Sequence, residues 1–213
     1  MPKKTTAASY APLPREFYNR DPVTVAQALL GKLLLRETDE GLVGGRIVET
    51  EAYLGGEDPA AHSYRGKNNR NAVMFGPPGF LYVYSIHSRW CMNAVTEEEG
   101  RPTAVLLRAC EPLLGIELMQ RRRGKEKLTE LTTGPARLCE SLAVDRRLNG
   151  WDLTLGKEIW IASDPTLPSE TCEVVITPRI GVTSAKDALL RFCCADNPFV
   201  SGPKRLRTKP QSL

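Results

Sequence analysis

The spacing of hydrophobic and polar residues changes several times along the chain, and each change predicts an element. Apolar runs and two-residue alternation predict strands at residues 42–54, 80–86, 90–95, 104–110, 158–162, 174–177 and 189–194. Apolar residues three or four apart predict helices at 22–36, 112–123 and 135–142. The first helix begins at an Asp21-Pro22 cap, Gly31 interrupts it, and residues 33–36 also fit a strand.

The connections between these elements indicate the fold class. Residues 87–89 separate two strands closely enough to predict a β-hairpin. Residues 55–79 are rich in Gly, Asn, Pro and basic side chains, and a long irregular segment in a compact chain is more often functional than not. Because no repeat or linker divides the chain, we expect one mixed α+β domain with a largely antiparallel sheet.

Composition adds little until the charges are sorted by position. The chain has 213 residues and a net charge of +4, which excludes collagenous, coiled-coil and largely disordered classes. Acidic residues dominate 37–62, whereas residues 63–96 contain basic residues and no acid, and further basic clusters occupy 121–127 and 204–209. Such segregation suits a polyanion-binding surface, although any single basic run is equally well explained as a solvated helix face or tail.

The sequence contains no export, membrane or metal-binding signal. Its N-terminus is polar, and no apolar run approaches the roughly 18–20 residues that span a bilayer. The six cysteines lack a CxxC pair or Cys/His ligand spacing, so we expect no metal and interpret them as reduced core residues of a cytosolic chain. Neither a P-loop nor a GxGxxG motif is present, so no cofactor is indicated.

Candidate chemistry lies between residues 49 and 90. Glu49, Glu51 and Tyr53 share one face of a predicted strand, and two carboxylates could act as an acid and a base, although many strands would fit that description. Half of the aromatic residues and both histidines follow within the same region, beside basic residues. Aromatic rings next to cations suit stacking on nucleobases. Phe80, Tyr82 and Trp90 are better explained as strand core.

Ordered sequence blocks extend over residues 15 to 201. The most specific blocks are 46–55 (RIVETEAYLG), 58–63 (DPAAHS), 71–75 (NAVMF), 78–84 (PGFLYVY), 105–109 (VLLRA), 178–182 (PRIGV) and 197–201 (NPFVS). They resemble the alkyladenine (3-methylpurine) DNA glycosylase family. The resemblance implies a single domain at 15–201 with a curved sheet, surrounding helices and a protruding hairpin. We expect a flexible arm at 1–14 and a basic tail at 202–213.

The resemblance also implies an activity. The chain is expected to flip alkylated or deaminated purines out of duplex DNA and to hydrolyse the N-glycosidic bond with a Glu-activated water, which starts base excision repair. The expected substrates are 3-methyladenine, 7-methylguanine, hypoxanthine and ethenoadenine. No lyase step is expected, because no lysine falls at a matched pocket position. The implied enzyme is a monomer of the bacterial cytoplasm, associated with the nucleoid.

The family pattern also implies roles for individual residues. Glu51 falls at the general base, and Arg108 falls at the residue that supports the attacking water and the target phosphate. The expected base pocket consists of Tyr53, His62, Tyr84, Asn93 and Leu106. Asn93 falls at the position that screens out normal guanine. The candidate phosphate contacts are Arg65, Lys67, Arg70, Arg89 and Arg137.

The hairpin tip departs from the family pattern. The family usually has an aromatic residue followed by glycine where the hairpin enters the DNA, whereas this chain has His87 and Ser88. We therefore expect weaker base extrusion at this position, and a solvated turn residue is the alternative for His87. Two other functions stay open: a catalytically weak or inactive damaged-DNA-binding relative, and a small-molecule glycoside hydrolase that uses Glu49 and Glu51 as a pair.

Overall fold

One eight-stranded sheet organises the chain in the computed structural model, which describes residues 10–163 and 172–203. The strands are β1 (Leu33–Thr38), β2 (Gly41–Tyr53), β3 (Leu81–Ile86), β4 (Arg89–Thr96), β5 (Thr103–Leu114), β6 (Ile159–Ala162), β7 (Val174–Thr177) and β8 (Arg191–Cys194). The helices are α1 (Arg15–Tyr18), α2 (Pro22–Ala28), α3 (Ile116–Arg123) and α4 (Pro135–Ser141). Short 3-10 segments occupy Gly55–Glu57, Ala72–Phe75, Leu128–Glu130, Arg146–Leu148 and Leu153–Leu155. The predicted α+β class with an antiparallel sheet is confirmed.

The long strand β2 is the centre of the sheet. The strand order is β3-β4-β5-β2-β1-β6, and β8 joins β2 on one side and β7 on the other. Residues 41–46 of β2 pair with β1, and residues 49–51 pair with β8, while β5 follows the opposite edge of β2 from Gly44 to Tyr53. The middle of β2 is therefore flanked by two antiparallel neighbours and lies far from any sheet edge.

The two faces of β2 have different surroundings. Thr50 faces α2, because its hydroxyl donates a 2.8 Å hydrogen bond to the carbonyl oxygen of Ala26. Helix α2 packs on β2 and β5, and α4 packs on β4 and β5, so the main apolar core lies on this side. Residues that alternate with Thr50, including Glu49 and Glu51, consequently point to the opposite side of the sheet.

Helix α2 shows why this stretch folds as the sequence predicts. The Asp21 carboxylate accepts hydrogen bonds from the backbone N–H groups of Val23 (2.9 Å) and Thr24 (3.0 Å). Pro22 fits the first turn, where its missing N–H has no intrahelical partner. The helix is shorter than the predicted segment, because residues 33–36 belong to β1.

The predicted start of α3 at residue 112 is wrong. The apolar residues at 112–114 continue β5, where Pro112 pairs with Gly45 and Leu114 with Gly44. Gly115 then takes a positive φ of 65° and turns the chain into the helix. A Cβ at residue 115 would lie 2.6 Å from the carbonyl oxygen of Leu42, so the turn requires glycine.

The cysteine prediction is wrong for one pair. Cys172 and Cys194 form a disulfide, whereas Cys91, Cys110, Cys139 and Cys193 are buried and free, as expected. Pairing of β7 with β8 places Val174 opposite Cys194, and Cys172, two residues before Val174, has its Cα 5.3 Å from that of Cys194. A sequence separation of 22 residues gave no spacing signal for this contact.

The structure also locates part of the expected N-terminal arm and the basic run at 121–127. Part of the expected arm packs on β6, where the Leu13 N–H donates to Ile161 O at 2.8 Å and Leu13 is buried. Residues 1–9 and the basic tail at 204–213 lie outside the described residues, and the domain boundaries stay a prediction. In the run at 121–127, Arg122 forms an ion pair with Glu40, and Arg123 forms one with Glu140. These two arginines therefore bind acidic side chains of the protein itself.

Two left-handed residues form the tip of the predicted hairpin. Ile86 pairs with Arg89, which leaves His87 and Ser88 as the central residues of a two-residue turn. Their φ angles are 47° and 60°, the conformation that a type I′ turn requires. Residues with a side chain adopt this region at an energetic cost, and glycine adopts it freely.

We therefore expect Ser88→Gly to stabilise the protein by about 1 kcal/mol, because glycine relieves the strain at this turn. Thermal unfolding should shift upward by about 2–4 °C for a domain of this size. Ser85→Gly is the matched control, since Ser85 is exposed on the adjoining strand, where glycine weakens the ladder. A lower midpoint for Ser88→Gly would contradict this account of the turn.

Candidate active site

An aromatic cavity opens between the irregular segment, the β3–β4 hairpin and residues 181–183. Its volume is about 300 Å³, within the range of small-molecule sites. The side chains that give it its chemical character are Tyr53, His62, Tyr82, Tyr84 and Asn93. Tyr82 and Tyr84 alternate along β3, and Asn93 lies opposite Tyr82 in the register of β4. The hairpin therefore supplies one wall of the cavity as well as the exposed tip.

The rings around the cavity are held against one another. His62 and Tyr84 meet edge to face with centroids 4.5 Å apart, and Tyr82 and Tyr84 are stacked at 5.3 Å. The His62 Nδ1 lies 3.0 Å from the Tyr82 hydroxyl. Desolvation and the nearby Arg70 cation lower the pKa of His62, so this ring is neutral at pH 7. A neutral imidazole offers one donor and one acceptor.

Burial keeps the tyrosines protonated. It raises the pKa of Tyr82 to about 12 and that of Tyr84 well above its ordinary value. Burial also raises the pKa of Tyr53, and the negative charge of Glu51 adds to this effect. All three phenols are therefore hydrogen-bond donors over the physiological pH range.

Glu51 lies beside the cavity and is fully buried. Its Oε2 accepts a 2.9 Å hydrogen bond from the Tyr53 hydroxyl. Its Oε1 accepts a 2.8 Å hydrogen bond from the N–H of Ile180 and forms a 3.1 Å ion pair with Arg108 Nη1. These three donors compensate the loss of water that burial imposes on a carboxylate.

A second buried carboxylate, Glu49, holds Arg108 from the other side. Arg108 Nε donates to Glu49 Oε1 at 2.8 Å, and Arg191 Nε donates to the same oxygen at 2.7 Å. Burial alone would lower the pKa of Arg108, but the charges of Glu51 and Glu49 outweigh it and raise that pKa. Burial would likewise raise the pKa of Glu49, but Arg108 and Arg191 hold it below its ordinary value.

Arg179 fixes the segment that carries Ile180. Its Nη2 donates to Asp58 Oδ1 at 2.8 Å, and its guanidinium carbon lies 4.7 Å from the centroid of the Tyr53 ring. The Arg179 side chain is fully buried. One arginine thus braces the Tyr53 wall and keeps the Ile180 N–H on Glu51.

The structure brings most of the predicted site residues together. Tyr53, His62, Tyr84 and Asn93 line the cavity, whereas the predicted lining residue Leu106 does not. Leu106 is buried beside it, paired in the sheet with Glu51 on one side and Asn93 on the other. Glu51 and Arg108 lie next to the cavity and contact each other.

Sequence reasoning missed several members of the site. Tyr82 is buried, as expected of strand core, but its hydroxyl also reaches His62 in the cavity. The roles of Asp58, Arg179 and Arg191 had no local signal, because their partners lie far away in the sequence. Arg179 falls within the block at 178–182, which marked the segment without indicating a contact.

The predicted DNA contacts lie on the surface of the protein. Five basic side chains there are exposed: Arg65, Lys67, Arg70, Arg89 and Arg137. The guanidinium carbon of Arg70 lies 5.7 Å from the centroid of Tyr84, at the cavity. His87 is exposed at the hairpin tip, two residues beyond the exposed Ser85. These positions are accessible to a polyanion, and their contacts with DNA stay a prediction.

Across residues 10–163 and 172–203, no group of three His, Cys, Asp or Glu side chains is arranged to hold a metal ion. No helix in that part of the chain is both long and apolar enough to cross a bilayer.

A buried carboxylate beside an aromatic cavity, next to a projecting hairpin and exposed cations, is the arrangement expected of an enzyme that acts on a base removed from duplex DNA. The sequence model of the Methylpurine-DNA glycosylase (MPG) family matches residues 16–198, and the chain belongs to this family. The predicted family is thus confirmed, and with it the prediction of a DNA N-glycosylase.

Several known proteins match this chain over most of their own length. The chain is 48% identical over 190 residues to a protein of Carboxydothermus hydrogenoformans, covering 89% of this chain and 98% of that protein. It is 47% identical over 211 residues to one from Koribacter versatilis, covering 97% and 100%. It is 48% identical over 192 residues to one from Methanoculleus marisnigri, covering 89% and 98%. Each carries the name "Putative 3-methyladenine DNA glycosylase".

The Asp58–Arg179 pair generates a pH-dependent prediction. Burial works against the Asp58 carboxylate, but the hydrogen bonds from Arg179 outweigh it and hold the pKa of Asp58 below its ordinary value. A carboxylate whose pKa falls on folding stabilises the protein above its unfolded pKa, and this stabilisation is lost as pH falls through the folded pKa.

We expect Asp58→Asn to lower the free energy of unfolding at pH 7 by about 3–5 kcal/mol, because Arg179 then keeps a buried charge without its counter-ion. The difference from the wild type should narrow below about pH 4, where Asp58 becomes protonated in the unfolded chain, and should be smallest once pH falls through the lower pKa of folded Asp58. Urea unfolding at pH 7 and pH 3 measures both values. Asp145→Asn is the control, since the Asp145–Arg147 pair is exposed and contributes little at either pH. A constant difference across this range would contradict the assignment.

Proposed function

We propose that this chain is a monofunctional DNA glycosylase that removes 3-methyladenine and other damaged purines from duplex DNA. The observation that carries the proposal is the fully buried Glu51, which contacts both a cavity tyrosine and Arg108. Its substrates would include 7-methylguanine, hypoxanthine and ethenoadenine. The names of the relatives support the alkylated purine, and the cavity supports a flat, extruded base.

Base extrusion has to be favourable enough to compete with stacking in the duplex. Rotating a nucleotide out costs a few kcal/mol, and less for a damaged or mispaired base. Stacking on an aromatic side chain recovers about 1–3 kcal/mol. Tyr53, His62 and Tyr84 are the cavity rings available for this purpose. A cationic alkylpurine gains further attraction to the electron-rich tyrosine faces.

Hydrolysis requires an oriented water and a base for its proton. Of the donors to Glu51, two reach Oε1 and one reaches Oε2. An ionised carboxylate oxygen has two acceptor sites, so Oε2 retains one for a water. In the proposed reaction, this water attacks the anomeric carbon of the sugar, Glu51 takes its proton, and the damaged purine leaves with the bonding electron pair. The proposed role of Arg108 is to orient Glu51 and to attract the target phosphate.

The remaining predicted residues fit roles in selection and DNA binding. The Asn93 amide donates to the Tyr82 carbonyl oxygen at 3.2 Å, which fixes it at the cavity, where it would disfavour the exocyclic amine of guanine. Arg65, Lys67, Arg70, Arg89 and Arg137 would contact phosphates, and His87 would occupy the space of the extruded base. No lysine lines the described cavity, which supports hydrolysis without a lyase step.

The proposed enzyme acts as a monomer. A DNA substrate supports action where the chromosome lies, which in a bacterium is the cytoplasm with its nucleoid.

A catalytically weak damaged-DNA-binding protein is the second candidate. The His87-Ser88 tip favours it, because an imidazole fills less space than a phenol in the opened duplex. The intact contacts among Glu51, Tyr53 and Arg108 favour the enzyme. The pairing of Glu49 with two buried arginines argues against a glycoside hydrolase that uses Glu49 and Glu51 as acid and base.

Glu51→Gln should abolish base release, because an amide does not accept the proton of the attacking water. We expect single-turnover release of 3-methyladenine from alkylated duplex DNA to fall by at least about 100-fold. Binding to the same DNA should persist, since Glu51 is fully buried whereas the candidate phosphate contacts on the surface are exposed and unchanged. Release that survives the substitution would refute the role of Glu51, and absence of release by the wild type would favour the binding protein.

His87→Tyr should accelerate the excision of hypoxanthine, because a larger ring fills the gap left by the extruded nucleotide more completely. Single-turnover rates on a hypoxanthine duplex measure the effect. Ser88→Gly is the control, since it changes the turn and leaves the imidazole in place. A slower His87→Tyr variant would contradict the wedge role.

A further inference from the structure

Glu49 is a fully buried carboxylate that the proposed reaction leaves without a role. Its Oε1 accepts hydrogen bonds from Arg108 Nε (2.8 Å), Arg191 Nε (2.7 Å) and the Ser201 hydroxyl (2.8 Å). Its Oε2 accepts a 2.7 Å hydrogen bond from the Ser201 N–H. Glu49 therefore joins β2 to β5, to β8 and to the segment that follows β8.

These contacts determine how Arg108 meets Glu51. The Arg108 guanidinium is planar, so fixing Nε on Glu49 fixes the plane and direction of Nη1. That Nη1 lies 3.1 Å from Glu51 Oε1, while Nη2 lies 3.4 Å from the Ser201 hydroxyl. Without Glu49, no other carboxylate in the described chain pairs with Nε, and Arg108 would be free to turn toward either oxygen of Glu51.

Glu49 also sets the charge around Glu51. Two carboxylates, Glu49 and Glu51, face two guanidinium groups, Arg108 and Arg191, so the four charges cancel. A buried ionic cluster of this kind is not needed for stability, because apolar residues of similar volume often serve as well. What points to function is the position of the cluster, which directly contacts the carboxylate proposed as the base.

We propose that Glu49 is a positioning residue for base excision, which holds Arg108 on Glu51 Oε1, leaves Oε2 open to the attacking water, and neutralises the second arginine. This inference rests on the proposed function, in which Glu51 is the general base. Glu49 itself does not contact the cavity and transfers no proton.

Other groups also face Glu51 and have to be held constant in a test. They are Arg108 from β5, Tyr53 and Glu49 from β2, Tyr84 from β3, Cys91 from β4, Cys193 from β8, and Arg179 from the segment after β7. A substitution at Glu49 keeps the chemical identity of all the others and, among them, directly releases Arg108. Any change in the pH dependence of excision is then attributable to the lost Glu49 charge and the release of Arg108.

The test compares Glu49→Gln with Glu111→Gln under single-turnover conditions from pH 5 to pH 9, on duplex DNA that contains 3-methyladenine. Glu111 is the matched control, because it pairs with Arg46 across the same two strands, away from the cavity. For Glu49→Gln we expect the rate to fall about 10- to 100-fold through misplacement of Arg108. We also expect the pH dependence of the rate to differ from that of the wild type, because Glu49→Gln removes one negative charge from the buried cluster.

Glu49→Asp separates charge from position. It keeps the negative charge but shortens the side chain, so the rate should fall at least fivefold while the pH dependence stays that of the wild type. Affinity for a duplex with an uncleavable abasic analogue should stay within twofold of the wild type for Glu111→Gln. If Glu49→Gln does not fold, the rate and pH profile of Glu49→Asp decide the question.

A wild-type rate in a folded Glu49→Gln or Glu49→Asp variant would overturn the inference. A fall of equal size at every pH in Glu49→Gln would also overturn it, because a structural defect alone has that effect. The proposed function fails separately: full activity of Glu51→Gln would remove the base that Glu49 is inferred to serve. Loss of activity in Glu51→Gln with an unchanged Glu49→Gln would refute the positioning role alone.

Discussion

The structure depends on keeping two carboxylates buried in the middle of its central strand. Glu49 and Glu51 are fully buried, so donors from the protein have to replace the bulk water that each carboxylate loses on folding. Arg108 reaches both carboxylates from β5, and Arg191 reaches Glu49 from β8. The positions of three strands are therefore linked by charge as well as by the backbone ladder.

The same requirement shapes the cavity. Glu51 needs donors on its outer side, and it receives them from the Tyr53 hydroxyl and the Ile180 N–H. Arg179 braces both of these groups through its contacts with Asp58 and the Tyr53 ring. The rings that would hold a base are thus positioned by the ionic contacts behind them, and the polar and aromatic parts of the site form one unit.

Local patterns predicted those features that depend on neighbouring residues. The Asp21-Pro22 cap and the hairpin at 87–89 follow from turn and helix-end chemistry, and both were predicted. The start of α3 was not predicted. An apolar run that begins as a strand and continues as a helix shows no boundary in the sequence, and the boundary becomes visible only from the pairing with β2. The Cys172–Cys194 disulfide and the Arg191–Glu49 contact are likewise products of register between distant strands. The family resemblance indicated the residues at the cavity. It did not indicate the contacts that Glu49, Arg179 and Arg191 make behind the cavity.

The partners of Glu49 are widely separated along the chain, and this affects the order in which the molecule can be completed. Arg108 lies 59 residues after Glu49, Arg191 lies 142 residues after it, and Ser201 lies 152 residues after it. Contacts of such long range are slow to form, and they require almost the entire chain to have left the ribosome. Until then, the central strand carries an anionic centre that lacks most of its donors. The proposed base, Glu51, is consequently among the last parts of the protein to mature, and a chain interrupted before Ser201 would have its cavity rings without Arg108 properly held on Glu51.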